Sequence, residues 1–384
     1  MSEDTTFSRD ELARYHRQMI LPGMGREGQE RIRAARVLIV GMGGLGSPVA
    51  MYLAAAGVGT LGLADFDKVE LHNLHRQVLH GSSSVGMLKV QSATKTLSEL
   101  NPNCNLVPHP LGVRAEDLPA LFNAYDIVVD CTDNFPTRFM VNDAAVMARK
   151  PLVYGSIFQY EGQASFFHPA NDAPCYRCLF PEMPATDSVP NCAQAGVIGA
   201  LCGIIGSIQA MEALKFISGV GKTLSGRLLT VDAATMTTRT INIKRDPSCP
   251  VCSANVRIRK IVSAEYEWRC DSQTSSMPST ESISAIELKA LLGTADAPVL
   301  LDVRDPDECE MGMIAGAVTI PLYQLGSRLE ELDKTRPIAV YCHIGLRSQH
   351  AQRLLKSKGF KKVMNLKGGI LEWIRHVDPT IRCY

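Results

Sequence analysis

Short apolar runs with polar or glycine-rich edges organise the first 130 residues. Arg36 to Val40, Thr60 to Ala64 and Asp126 to Asp130 have the length and apolar character of strands buried on both faces. Between the first two, Gly46 to about Ala56 has helical length, so the segment predicts a strand, a glycine turn, a helix and a second strand. Upstream, Ser8 and Glu11 have capping-box spacing, which starts a helix. Two longer stretches, Val37 to Ala64 and Ala195 to Phe216, are apolar enough to resemble membrane spans. The first contains seven glycines and ends on Asp65, and the second carries Ser207, Gln209 and Glu212. Both therefore predict buried core, the second as a helix starting near Gly196.

Apolar periodicity stops from Asp271 to Ser282, a Ser/Thr-rich run containing Pro278, and that composition predicts a linker. Beyond it, Ser284 and Glu287 form a second capping-box pattern ahead of Leu288, Leu291 and Leu292, with Gly293 closing the helix. Strand-like runs at Val299 to Val303 and Ile338 to Cys342 alternate with a helical pattern from Ser348 to Lys358. The expected organisation is a first domain over residues 1–262, a linker over 263–281 and a smaller domain over 282–384. Both are α/β, the first a Rossmann-like domain with a mostly parallel sheet. No repeat or heptad pattern interrupts this division.

Composition narrows the function classes. A chain of 384 residues with 46% hydrophobic content is too long for one ordinary compact domain and too apolar to be disordered. Its 40 Lys+Arg against 39 Asp+Glu give a net charge of +1, so no general electrostatic pull toward nucleic acid or an anionic membrane exists. Met1-Ser2-Glu3-Asp4-Thr5-Thr6 lacks the cationic start and apolar core of a secretory signal, and a cytoplasmic location is expected. Twelve cysteines in that setting point to metal or sulfur chemistry and away from disulfides.

The glycine turn reads Gly41-Met42-Gly43-Gly44-Leu45-Gly46, and the following strand ends at Asp65. Glycines let the backbone approach a phosphate, the helix N-terminus supplies amides, and an acid at the next strand end accepts from ribose hydroxyls. A dinucleotide-dependent oxidoreductase would share this unit. Asn73, Arg76 and Lys89 downstream favour a triphosphate, which has more charge to neutralise. Asp133, after the strand ending at Asp130, suits a Mg²⁺ ligand beside phosphates; capping of the next helix is the competing role.

Cysteines divide by context. Cys175-Tyr176-Arg177-Cys178 and Cys249-Pro250-Val251-Cys252 offer four thiolates, the donor set of a closed tetrahedral Zn²⁺ site, against the competing readings of a redox dithiol or unbonded core cysteines. Cys192 lies in a polar, proline-containing stretch before an apolar helix, where a thiol is either activated by the helix N-terminus or simply packed. Cys342 follows a strand and enters His343-Ile344-Gly345-Leu346-Arg347. A loop of amides at a helix start, with Arg347 nearby, stabilises a thiolate or persulfide anion.

Together, Arg14-Tyr15-His16-Arg17-Gln18, the glycine turn, Asp65-Phe66-Asp67, Asn73-Leu74-His75-Arg76-Gln77 and Cys131-Thr132-Asp133-Asn134 resemble the MoeB and ThiF adenylyltransferases. These are relatives of ubiquitin-activating enzymes, and the resemblance covers about residues 7 to 260. It implies that Gly41, Gly43, Gly44, Gly46, Asp65, Asn73, Arg76, Lys89, Asp133 and Asn134 serve ATP, with Asp133 at Mg²⁺. It further implies that Arg17 reaches the nucleotide of a partner subunit in a homodimer, where residue spacing alone reads a solvated helix charge. The implied substrate is a ubiquitin-like sulfur-carrier protein of MoaD, ThiS or Urm type, ending in Gly-Gly. Structural zinc on Cys175, Cys178, Cys249 and Cys252, and a transient disulfide at Cys192, belong to the same resemblance. Residues 282–384 resemble a rhodanese domain through Leu301-Asp302-Val303-Arg304, Gly312-Met313-Ile314-Ala315-Gly316-Ala317, the Cys342 loop and Leu366-Lys367-Gly368-Gly369. That implies sulfur transfer at Cys342 from thiosulfate or a desulfurase persulfide. Met313-Ile314-Ala315 departs from the usual His-Ile-Pro. The two resemblances together describe a fused adenylyltransferase and sulfurtransferase of MoeZ or MoeBR type, against the alternatives of a nicotinamide oxidoreductase with an appended rhodanese domain and a non-catalytic recruiting module.

Overall fold

The computed structural model describes residues 7–168, 173–184, 196–263, 266, 282–294 and 296–382. Two compact units divide the chain, Met1–Cys270 and Asp271–Tyr384. Cys192 and most of the expected linker lie outside the described residues.

The first unit is built on eight strands: β1 Arg36–Val40, β2 Thr60–Ala64, β3 Asn105–His109, β4 Ile127–Asp130, β5 Leu152–Phe158, β6 Glu161–Phe167, β7 Arg227–Asp232 and β8 Thr237–Asn242. Their order is β3-β2-β1-β4-β5-β6-β7-β8. Pairing is parallel from β3 to β5 and antiparallel from β5 to β8. Central strands are apolar on both faces because helices cover both. In β1, Val37 and Ile39 enter one core with Leu53, Leu61 and Leu201, while Leu38 and Val40 enter the opposite core with Phe122, Val128 and Phe139. The two-residue period of a strand sends alternate side chains to the two sides.

The apolar stretch near residue 200 forms the helix Gly199–Ser218, the one described helix long and apolar enough to cross a bilayer. It packs on β5 and β6 and against the helices Gly46–Ala55 and Gly25–Ala34. Its start falls three residues later than the sequence pattern suggests, because Val197 makes a parallel bridge to Gln159 and Ile198 stays extended. Both expected capping boxes form: the Ser8 hydroxyl accepts the Glu11 amide at 3.1 Å while Glu11 accepts the Ser8 amide at 2.8 Å, and Ser284 and Glu287 do the same.

The second unit holds β9 Ser282–Ile283, β10 Val299–Asp302, β11 Val318–Thr319, β12 Ile338–Tyr341 and β13 Val363–Leu366, in the order β11-β10-β12-β13-β9 with every pair parallel. At the end of β10 stands a buried ion pair. Arg304, with no exposed surface, donates through Nε and Nη2 to both Asp302 carboxylate oxygens at 2.7 to 3.1 Å and through Nη2 to the Gly312 carbonyl at 2.8 Å. The divergent Met313-Ile314-Ala315 segment still docks, since Ile314 is buried and its amide donates to the Tyr341 hydroxyl at 3.2 Å.

Candidate functional site

Strand order reverses on either side of β1, and in an open α/β sheet ligands sit at that point, beyond the strand C-termini. A cavity of about 420 Å³ occupies it. Gly41, Gly43 and Gly44 form one wall, with Asp65, Arg76, Lys89, Asp133 and Asn134 around it. Gly41 has φ +96°, a conformation that favours glycine. Gly46 closes the turn from behind: a Cβ there would stand 1.9 Å from the Gly41 carbonyl oxygen. The helix starts at Gly46, so its free amides and positive dipole end lie at the turn.

Charge at the rim is shared. Asp65 accepts the Met42 amide at 2.7 Å and the Asp67 amide at 2.8 Å. Burial pushes its carboxyl up from the usual range, opposed by the Lys89 charge and those two amides. Lys89, almost fully buried, pairs with Asp67 at 2.8 Å. Arg76 is half-buried and donates through one guanidinium nitrogen to the His72 carbonyl at 3.2 Å. Asp133 is exposed, and the helix cap comes one residue later, where Asn134 accepts the Thr137 amide at 3.0 Å. Capping, the competing role for Asp133, therefore belongs to Asn134.

Asn73 and Arg17 stand apart from the cavity wall. Asn73 is buried in the turn Leu71–Asn73, where its side-chain oxygen accepts the Glu70 amide at 3.3 Å. Arg17 is exposed in the last turn of the helix Arg9–Met19. Sequence reasoning passed over the cavity floor. Arg138 donates to the Thr132 carbonyl at 2.7 Å and to Ser156 at 3.2 Å, with its Nε 3.6 Å from the buried Asp130. Gln209 donates to the Asp130 carbonyl at 2.7 Å. A charge closing the apolar strand Ile127–Asp130 and an amide inside an apolar helix were the available signals.

The four CxxC thiols converge, all within 4.8 Å of one another. Cys175 lies 4.0 Å from Cys178 and 3.7 Å from Cys249, and Cys178 lies 3.4 Å from Cys252. Disulfide sulfurs would be about 2.05 Å apart, whereas Zn–S bonds of about 2.3 Å set tetrahedral edges of roughly 3.8 Å. The donor set and its spacing fit zinc. Hydrogen bonding within the cluster, first of all with Cys175, lowers the Cys178 thiol from its usual range.

In the second unit, Cys342 is buried, and its sulfur accepts the Gly345 amide at 3.2 Å. The Ser348 hydroxyl lies 3.4 Å from that sulfur and 3.0 Å from the Gly345 carbonyl, so one proton serves two acceptors. Gly345, with φ +97°, lets the next helix begin at Leu346, two residues earlier than the sequence pattern indicates. Gly369, at φ +62°, admits the close approach of the Cys342 carbonyl, 2.4 Å from where a Cβ would sit. Arg347 interacts electrostatically with Cys342 and also pairs with an acid. Its guanidinium forks onto Glu308 at 2.5 and 2.6 Å, so its charge is matched by that carboxylate. Burial alone would raise the Glu308 carboxyl, but the hydrogen bonds and charge of Arg347 outweigh it and hold it below the usual range.

Known proteins share both units. The ThiF family model matches residues 15–251 and the rhodanese-like domain model matches 284–376. Over 99% of its length the chain is 43% identical to the probable adenylyltransferase/sulfurtransferase MoeZ of Mycobacterium tuberculosis, 97% of which is covered. It is 41% identical, again over 99%, to the adenylyltransferase and sulfurtransferase MOCS3 of Drosophila yakuba, with 86% of that chain covered. The crystal structure of E. coli MccB shares the fold at TM-score 0.54 and 23% identity, over 60% of this chain and 68% of that one.

The Glu308–Arg347 pair carries a pH signature. A carboxyl depressed in the folded state stabilises fully above its unfolded pKa, and that stability is lost as pH falls through the folded value. Glu308→Gln should therefore cost the second unit about 1 to 3 kcal/mol at neutral pH and nothing in acid below both values. Urea unfolding of wild type and variant across pH checks this; an equal cost at both extremes would exclude the ion pair as its source.

Proposed function

We propose a reaction sequence that starts from one premise: the chain belongs to the ThiF family and carries a rhodanese-like domain behind it. It is an adenylyltransferase and sulfurtransferase, which sets aside the nicotinamide oxidoreductase and the recruiting module. ATP lies in the cavity with its phosphates at the turn of Gly41, Gly43 and Gly44, its ribose hydroxyls toward Asp65, and Arg76 and Lys89 neutralising phosphate charge. The observation that carries this reading is the set of Asp133, Arg76 and the glycine turn around one cavity, with Asn134 taking the capping role. Asp133 is the carboxylate that would hold Mg²⁺, which supplies charge neutralisation for the triphosphate.

The substrate is a ubiquitin-like carrier ending in Gly-Gly, whose carboxylate is a poor electrophile. Its attack on the α-phosphate expels pyrophosphate and leaves an acyl adenylate. Cys342, loaded as a persulfide by a sulfane donor such as thiosulfate or a desulfurase persulfide, then attacks the acyl carbon and expels AMP. The terminal persulfide sulfur is the nucleophile, and the Gly345 amide and Ser348 hydroxyl stabilise anionic sulfur at Cys342. Cleavage of the acyl-bound persulfide by a second thiol, assigned to Cys192, releases the carrier thiocarboxylate and leaves a Cys342–Cys192 disulfide for reduction by an external thiol. Tethering both chemistries raises the local concentration of persulfide.

Zinc on Cys175, Cys178, Cys249 and Cys252 joins segments some 70 residues apart in sequence and has a structural part only. Arg17, exposed and apart from its own cavity, serves the cavity of a second copy in a homodimer. None of the described cysteines is in a disulfide, which suits a reducing cytoplasm.

Two outcomes test this reading. Asp133→Ala should lower carrier-dependent pyrophosphate exchange by about 100-fold or more and spare thiosulfate sulfurtransferase activity, whereas Cys342→Ala should do the reverse; a variant that damages both or neither would break the division of labour. Metal analysis should find about one zinc per chain, and Cys178→Ser should lower zinc content and thermal midpoint together. Unchanged zinc in that variant would dissolve the proposed site.

A further inference from the structure

His80 lies beneath the glycine turn, 6% exposed and absent from the cavity wall. Its Nε2 is 2.9 Å from the Met42 carbonyl oxygen, and its Nδ1 is 2.9 Å from the Ser92 hydroxyl. A carbonyl can only accept, so Nε2 carries the proton and, in the neutral ring, Nδ1 accepts from Ser92. Burial disfavours the charged ring, though the Met42 carbonyl and Asp65 favour it. On the other side of the same residue, the Met42 amide donates to Asp65 at 2.7 Å. Both peptide groups flanking Met42 are therefore held, one by Asp65 and one by His80.

The second of these groups faces the ligand. In a trans peptide the C=O and the following N–H point in opposite directions. With the Met42 carbonyl drawn to His80, the Gly43 N–H is directed away from His80. It has no backbone acceptor among the described residues, and Gly43 lines the cavity. Glycine at position 43 leaves this peptide unusually free to rotate. A flipped peptide would present the carbonyl oxygen where anionic phosphate oxygens bind, exchanging attraction for repulsion.

We propose that His80 is a positioning residue for the nucleotide, holding the Met42 carbonyl so that the Gly43 amide faces the phosphates. The assignment rests on the reading of this cavity as the ATP site. His80 touches no reacting atom; it acts through one peptide plane, and the Ser92 hydroxyl, donating to Nδ1, supports the tautomer that the Met42 carbonyl selects.

The test is equilibrium binding to the full chain with Mg²⁺, using ATP and, by competition, adenosine. Binding of ATP by the wild-type chain is read first, and its absence would overturn the nucleotide reading itself. His80→Leu should weaken ATP about tenfold, the effect of one oriented hydrogen bond, and alter adenosine affinity less than about twofold, because adenosine has no phosphates. His80→Gln, whose side-chain amide can donate to Met42, should recover ATP affinity to within about threefold of wild type. Ser92→Ala should weaken ATP in the same direction by a smaller factor, and it keeps the proposal testable if His80→Leu fails to fold. Equal losses for ATP and adenosine, wild-type ATP affinity in both His80→Leu and Ser92→Ala, or no recovery in His80→Gln would each overturn the proposal.

Discussion

Close approach of main chain to main chain in a turn beyond the C-terminal ends of parallel strands is the constraint on which both units depend. In the first unit it requires glycine at 46, where any Cβ would collide with the Gly41 carbonyl. In the second it requires glycine at 345 and 369, whose positive φ values shape the turn around the Cys342 sulfur. Amides cost no charge to bury and do not reorganise during reaction, so they suit groups whose negative charge moves. Each turn also leads into a helix whose dipole points the same way.

Buried charge supports these turns from behind. Asp302 and Arg304 tie the end of β10 to the Gly312 loop, and the Arg304 guanidinium also lies 3.4 Å from the Glu308 carbonyl. Glu308 in turn holds Arg347, the residue that follows the Cys342 loop glycine by two positions. In the first unit, Asp130 and Arg138 do comparable work under the cavity, with Gln209 closing the remaining carbonyl. Such pairs add little net stability against an apolar alternative, but removing one partner leaves a charge stranded in the interior. Their position beneath each site makes rigidity of the loops the more direct consequence.

The strands were legible in the sequence where apolar runs are short and uninterrupted: Arg36 to Val40 and Thr60 to Ala64 match residue for residue. Boundaries shifted where local geometry intervened, as at Ile198, held extended by the Val197 bridge, and at Leu346, released into helix by Gly345. Gly41, Gly43, Gly44, Asp65, Arg76, Lys89, Asp133 and Asn134, distant in sequence, line one cavity. What escaped was the layer that touches those residues from inside. Nothing in the order of residues announces that Glu308 occupies Arg347, that Asn134 and not Asp133 caps a helix, or that His80 reaches the Met42 carbonyl 38 positions away. These depend on side-chain direction in three dimensions.

The central claim is that one polypeptide both activates a carrier carboxylate and delivers sulfur to it. The most direct test is intact-mass spectrometry of a Gly-Gly-ending carrier after incubation with the full chain, ATP, Mg²⁺ and thiosulfate, followed by a reducing thiol. The account predicts replacement of one carrier oxygen by one sulfur, dependent on ATP. A carrier that gains sulfur equally well without ATP, or is adenylated but never gains sulfur even with a persulfide donor supplied, would contradict it.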